Sequence, residues 1–313
     1  MPKVSVIILL HNSERFITKC VEGLFGQTLD DIEYVFVDDG STDRTIEMIE
    51  ESLSRHCERK PEVKIIRLEK NEGQAKARKI GVGNSTGEYV IHCDSDDWID
   101  LGMYQAMYET AEKNLSDLVI SDYYFSDGEK EYYWGQKCKD KEEIVRGLLN
   151  NRISGALWNK MIRREILDDS FIFPEENMCE DFVFTIQYLL RSTRIDFVEK
   201  PLYHYVRHKS AFSMSFDSVI EKSRQIRRNM DTAFDVLKES GEWDKYRHDI
   251  VHQKLYVKNN LLPVIEHQYK SWRHTYKEIN KSVLFCKSIS LREKCVFIIA
   301  YLGLYPLYSK IVK

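Results

Sequence analysis

"EYVIHCDSDDW" (Glu88–Trp98) passes from a short apolar run straight into acid. Tyr89–Cys93 has the length and composition of a strand buried on both faces. Asp94, Asp96 and Asp97 then place three carboxylates in four positions. Such crowding raises carboxylate pKa values unless something cationic sits between them. Either solvent disperses this charge or a ligand neutralises it.

Similar runs lie on both sides. Val4–Leu10, "IEYVFVDD" at 32–39 and "VKIIRL" at 63–68 precede it, and "DLVISDYYF" at 117–125 follows. Between them the apolar residues take helical spacing. Phe16, Ile17, Cys20, Val21, Leu24 and Phe25 form one such stripe. Polar helices with an apolar side are expected over 43–54, with Ile46 and Ile49 inward, and over 74–82. A further helix is expected over 101–114, with Asp100 as its cap. Strands alternating with helices mean βαβ units, so the fold class is α/β with a mostly parallel sheet flanked by helices. Past residue 130 the alternation fades. Helices are expected over 142–149 and 180–190, and two short strands, "IDFV" and "LYHYV", within 195–206. From Asp217 onward only Pro263 and Pro306 interrupt helical stretches. This divides the chain into an α/β domain at 1–215 and a helical extension at 216–313.

The formal net charge of -4 hides an asymmetry: residues 1–110 carry −8, 111–215 carry −3 and 216–313 carry +7. A basic last third suits an anionic partner. No recognised nucleic-acid module accompanies it, so a lipid surface is the better match, and nucleic acid is not expected as a partner. "REKCVFIIAYLGLYPLYSKIVK" (292–313) has basic flanks around an apolar run too short to span a membrane. The alternative for these helices is packing on the α/β domain. The seven cysteines, an odd number with no CxxC pair, argue for reduced thiols and a cytoplasmic protein, peripheral at most on the inner face of a membrane. The start of the chain reads as a strand, not as a signal peptide. His248, His252, His267 and His274 lack a neighbouring HExxH-type pattern and are read as surface or core residues.

In an open parallel sheet, ligands sit beyond the C-terminal strand ends. Four polar clusters fall there: "HNSE" (11–14), "DDGSTD" (38–43), "KNEG" (70–73) and "DSDD" (94–97). Each alone is turn chemistry, but four at one edge mark a site. "GVGNSTG" at 81–87 is not a GxGxxG, and no P-loop occurs, so a bound nucleotide must be held by carboxylates and side chains. Asp38 or Asp39 could accept from a ribose or base edge, and Arg78 could reach a phosphate. Two carboxylates one residue apart, Asp94 and Asp96, offer hard oxygens to one Mg²⁺ or Mn²⁺. Helix-dipole placement explains Asp97 and Asp100 without a ligand, but not Asp94 and Asp96. Asp181, with Glu180, opens a helix, where acids are favoured in any case.

The blocks "VSVIILLHNSERFITKCVEGLFGQT", "EYVFVDDGSTDRT", "NEGQAKARKIGVGNSTGEYV", "CDSDDW", "LWNKMIRRE" and "ED" at 180–181 occur in this order. Together they resemble family-2 glycosyltransferases of GT-A fold, from Val4 to about Tyr205. The resemblance implies an inverting transferase that moves a sugar from a nucleotide-diphosphate donor, a UDP-sugar above all, to a saccharide or lipid-linked saccharide. It implies that Asp39 contacts the base, with His11, Asn12, Glu14, Asp38, Asn71, Gly73, Arg78, Asp94 and Ser95 around the donor. Asp94 and Asp96 would hold the Mn²⁺ or Mg²⁺, and Asp181 would be the catalytic base. Asp97, Trp158, Asn159, Lys160 and Glu180 would line the acceptor cleft, and Ser213 and Ser215 a loop closing over the donor. His11 stands where the family often has tyrosine, and Lys79 where it has asparagine. A degenerate transferase acting as a scaffold and a sugar nucleotidyltransferase are the alternatives, the latter lacking its Gly-rich loop here. A homo-oligomer stays open.

Overall fold

The computed structural model describes residues 1–127, 129–135, 140–207 and 216–312. The expected alternation is present: β1 (Val4–Leu10), α1 (Ile17–Phe25), β2 (Ile32–Asp38), α2 (Thr45–Arg55), β3 (Val63–Arg67), α3 (Gln74–Asn84), β4 (Tyr89–Asp94), a two-residue β5 (Trp98–Ile99), α4 (Met103–Asn114) and β6 (Leu118–Ser126). Then come β7 (Glu131–Trp134), α5 (Lys141–Leu149), β8 (Lys160–Arg163), α6 (Glu180–Arg191) and β9 (Ile195–Val206). The last third holds α7 (Phe216–Glu239), α8 (Arg247–Asn259), α9 (Ile265–His274), α10 (Leu291–Tyr301) and α11 (Tyr305–Val312).

The strands form one sheet in the order β3-β2-β1-β4-β8-β6-β9-β5, with β7 beside β6. The pairings β1–β2, β1–β4, β2–β3 and β6–β9 are parallel, whereas β5, β7 and β8 run against their neighbours. The sheet is thus mostly parallel, with a reversed strand at its middle. β1 is buried on both sides: Val4, Val6, Ile8 and Leu10 join one core with α1 and α4, while Ile7 joins the other. Leu10 lies opposite Asp38 and Leu9 opposite Asp94, so the acidic ends of β2 and β4 reach the same edge.

Several expectations are corrected. "IDFV" and "LYHYV" belong to one strand, β9, whose pairing with β6 slips between Ser121 and Tyr123. Glu199 and Lys200, and then Leu202, are skipped in that register, so Pro201, opposite Asp122, sits between two irregularities where a ladder N–H is not required. Asp100 does not cap the following helix, because α4 starts at Met103 after Gly102 without a side-chain cap. Pro306 stands at the second position of α11 and opens that helix instead of breaking one. In the tail, Gly241, at φ 75°, follows the end of α7, and residues 275–290 hold no α-helix.

The boundary at 215/216 marks a change from sheet to helices, not a break in the core. One buried cluster runs from Ile7, Val90 and Leu118 through Phe182–Leu189 to Met230, Phe234, Trp272 and Phe297. Packing on the α/β domain therefore accounts for most of the extension. Among the described residues, no helix is long and apolar enough to cross a membrane.

Candidate active site

The acidic edge is organised by one arginine. α3 is preceded by Gly73, whose φ of 92° and closeness to Asn177 leave no room for a side chain. From the second turn of α3, Arg78 reaches into the protein and is 6% exposed. Its Nε donates to Glu180 Oε1 at 3.3 Å, its Nη2 lies 3.5 Å from Asp94 Oδ1, and its buried Nη1 has no hydrogen-bond partner. Arg78 was expected to face a phosphate or solvent. It joins the end of β4 to the start of α6 and keeps Nη1 without a protein partner.

Asp94, Asp96 and Asp97 separate in role. Asp94 is one-third exposed and Asp96 exposed at the sheet edge. Asp97 turns inward, accepting from Tyr203 Oη at 2.7 Å and from Val206 N at 2.7 Å. Burial, and then the charges of Asp94 and Asp96, push its carboxyl up to about 8. The crowding seen in the sequence is relieved by the guanidinium beside Asp94 and by the inward turn of Asp97 onto its own hydrogen-bond donors. Asp97, expected at the acceptor cleft, lies buried beneath the edge.

Asp181 is partly buried at the first turn of α6, where its Oδ1 accepts from Phe182 N at 2.8 Å. Burial raises its pKa, against the opposing pull of Arg78. Glu180 is buried against Arg78 and raised for the same reason. The turn before them is latched from both sides. Asn177 accepts from Ala75 N, and Asn229 of α7 donates to the carbonyls of Glu176 and Met178. Glu176 also pairs with Arg224 and Arg228. No sequence signal marked Asn177, Asn229 or Tyr203 as parts of the site.

The remaining candidates divide between rim and floor. Asp39 accepts from Glu72 N at 2.6 Å and Gly73 N at 2.9 Å, fixing the turn that carries Asn71. His11 Nδ1 lies 2.8 Å from Asp39 O. Asp38 accepts from Ser41 N, and Asn12, at φ 51°, accepts from Thr42 N. Ser95 bonds Ser13 through their hydroxyls, and Glu14 accepts from Arg44 N at the exposed rim.

Trp158, Asn159 and Lys160 were expected to line an open cleft, yet each is 5% exposed or less. Trp158 stacks on Tyr203 at 4.2 Å. Lys160 Nζ donates to Asn159 Oδ1 and to the carbonyls of Ser154 and Ala156, and burial lowers its pKa to about 7. Asn159 and Lys160 line a small cavity together with Ser121, Tyr123 and Trp134. Ser213 and Ser215 lie outside the described residues.

The family model for glycosyl transferase family 2 matches residues 5–171. A Bacillus subtilis protein named as a glycosyltransferase, EpsH, is 30% identical over 259 residues, covering 80% of this chain and 73% of EpsH. Among solved structures, Staphylococcus aureus TarS 1-349 in complex with UDP-GlcNAc superposes with a TM-score of 0.66 at 21% identity, covering 98% of this chain and 89% of that one. The mannosyltransferase PcManGT of Pyrobaculum calidifontis, in complex with GDP-Man and Mn²⁺, gives 0.51 at 17% identity over 99% and 83% of the two chains. The chain belongs to glycosyl transferase family 2 and is a glycosyltransferase of GT-A fold.

Proposed function

We propose that this transferase takes a sugar from a nucleotide-diphosphate donor, a UDP-sugar, and attaches it to a hydroxyl of a saccharide or lipid-linked saccharide. The displacement is single and in line, with inversion at the anomeric carbon. One observation carries this best: Arg78 draws the Asp94 edge and the Glu180–Asp181 turn into one cluster. Donor-side and acceptor-side carboxylates from distant parts of the chain then serve one reaction centre. Fold neighbours that hold UDP-GlcNAc, or GDP-Man with Mn²⁺, support a nucleotide-sugar donor.

Asp94 and Asp96 fit a hard divalent cation, since both reach solvent at the sheet edge and offer only oxygen. Among the described residues no group of three or more His, Cys, Asp or Glu forms a closed metal cage, so donor diphosphate and water would complete the shell. Asp94 and Asp96 would hold Mn²⁺ or Mg²⁺, which would supply Lewis-acid neutralisation of the charge on the leaving diphosphate. The unpartnered Nη1 of Arg78 supplies a further donor for a phosphate oxygen. Asp39, its turn already fixed, keeps lone pairs for a base N–H. Asp181 takes the proton of the attacking hydroxyl, and its raised pKa brings it nearer the working pH.

Thermal shift with UDP, GDP, CMP and dTDP, each with Mn²⁺ and with EDTA, tests the donor site. One nucleotide at a hundred times its dissociation constant should stabilise by about 2.7 kcal/mol, only with metal, and not in Asp96→Ala. No shift with any nucleotide would favour the non-catalytic scaffold.

We also propose that the far end of the extension touches a lipid surface on the cytoplasmic side. Leu302, Leu304, Leu307 and Ile311 are all exposed, with Lys310 among them, a pattern suited to an anionic interface. Truncation near residue 288 would also remove Phe297 from against Trp272, so point changes make the cleaner test. Leu307→Glu with Ile311→Glu should abolish sedimentation with phosphatidylglycerol vesicles and leave nucleotide binding intact. Equal sedimentation of variant and parent would refute the contact.

A further inference from the structure

We propose that the aromatic face of β7, β6 and β9 is a saccharide platform that seats the acceptor chain beyond the sugar receiving transfer. This deepens, and rests on, the transferase reading above. In register, Tyr123 lies opposite Trp134 on one side and Tyr203 on the other, while Phe125 lies between Tyr132 and Tyr205. Residues paired in this way share a face of the sheet. Two rows of three rings therefore lie side by side. Trp158 closes the inner end, stacking on Tyr203 and Tyr205 and meeting Tyr123 edge-on at 4.6 Å.

This face is core at its inner end, where Tyr203 and Trp158 are buried, and open at its outer end. Trp134, Tyr132 and Tyr205 are 54%, 49% and 37% exposed. The opposite face of the same strands behaves differently, since Tyr133 donates to Asp122 and Glu131 lies 2.8 Å from His204. Tyr133 on that face is exposed too, at 59%, but only the first face carries rings in two adjacent rows across three strands, an exposed patch of the kind that marks a binding surface.

The grid also runs into the reaction centre. Tyr203 Oη donates to Asp97 and accepts from Asp94 N. Burial raises the pKa of the neighbouring Tyr205 phenol, and the charges of Asp97, Asp96 and Asp94 add to it. A ligand lying along the rings from Trp134 toward Tyr205 would therefore present its end to the carboxylate edge.

The chemistry selects a sugar chain. Sugar rings carry C–H groups on their faces, which suit the electron-rich ring faces, and hydroxyls around their edges. Every ring of the grid except Phe125 ends in an O–H or N–H. The narrow cavity beside Trp134 adds Ser121, Asn159 and Lys160. Aromatic walls with a few placed polar groups are the make-up of a small-ligand site.

The test uses the full chain on a glycan array spanning mono- to hexasaccharides. The parent should bind at least one oligosaccharide, and the matching monosaccharide more weakly. Trp134→Leu keeps an apolar side chain but removes the π face, and should weaken that binding about tenfold or more. Trp134→Ala and Tyr132→Ser should do likewise, all three keeping the Mn²⁺-dependent shift with nucleotide. An array without a binder, or equal binding by parent and Trp134→Leu, overturns the platform. So does a change in sedimentation from dimer to monomer in Trp134→Leu, which would assign the face to a second copy of the chain. A nucleotide shift without glycan binding sinks the platform alone, whereas glycan binding without any nucleotide shift sinks the transferase reading alone.

Discussion

Asp181→Asn is expected to lower the rate of sugar transfer by about 10²–10⁴-fold, the contribution of a positioned general base. The amide keeps the size of the side chain and can still accept from Phe182 N, so the fold and the turn before α6 should persist. Nucleotide affinity should be unchanged, because the residue acts on the acceptor's proton and not on the donor. In the parent, the base works only when deprotonated, and burial raises its pKa. The rate should therefore rise with pH through a range displaced above that of an ordinary aspartate, and this dependence should vanish in the variant. Steady-state rates against pH, alongside nucleotide thermal shifts, make the comparison. A variant within threefold of the parent would remove Asp181 from the chemistry.

Arg78→Met is expected to destabilise the protein by about 3–5 kcal/mol, the cost of removing one partner from a buried ion pair. The methionine fills much of the space, so the loss comes from charge: Glu180 keeps no cation, and Asp94 loses its neighbour. Adding Glu180→Gln should restore part of the stability, because the stranded carboxylate is then gone. Urea unfolding of the parent, the single variants and the double variant gives the coupling. Additive effects would mean that Arg78 does not hold the two edges together.

Much of this was legible in the chain itself, for physical reasons that differ by element. Val4–Leu10, Ile32–Asp38 and Tyr89–Asp94 are continuous apolar runs because helices cover both faces of the sheet, and they announce themselves. β8 is four residues long and mixes Lys160 and Arg163 with Met161 and Ile162, so no period betrays it. It nevertheless reverses the sheet next to β4. The bulge in β9 split one strand into two apparent ones for a similar reason.

At the candidate site, Asp94 and Asp96 stand out in the chain by their spacing and Asp181 through the family resemblance, whereas their structural neighbours do not stand out. Asp97 resembles its neighbours in sequence, and only the strand opposite, with Tyr203, turns it inward. Trp158, Asn159 and Lys160 belong to a recognisable block, yet packing against β6 and β9 buries them. The charge of the extension is plain in the chain, whereas its largest task is to continue the core and, through Asn229, to hold the turn before Asp181. Long-range partners of this sort leave no periodic trace.

The central claim is that the Asp94–Asp96 edge and Asp181 together run an inverting, metal-assisted transfer. The most direct measurement offers a panel of α-linked UDP- and GDP-sugars with saccharide acceptors, in Mn²⁺ and in EDTA, and reads nucleotide release and the anomeric proton coupling of the product. Metal-dependent release with one donor, lost in Asp96→Ala, and a β-linked product are the predicted result. Release that persists in EDTA, or a product of retained α configuration, would contradict it.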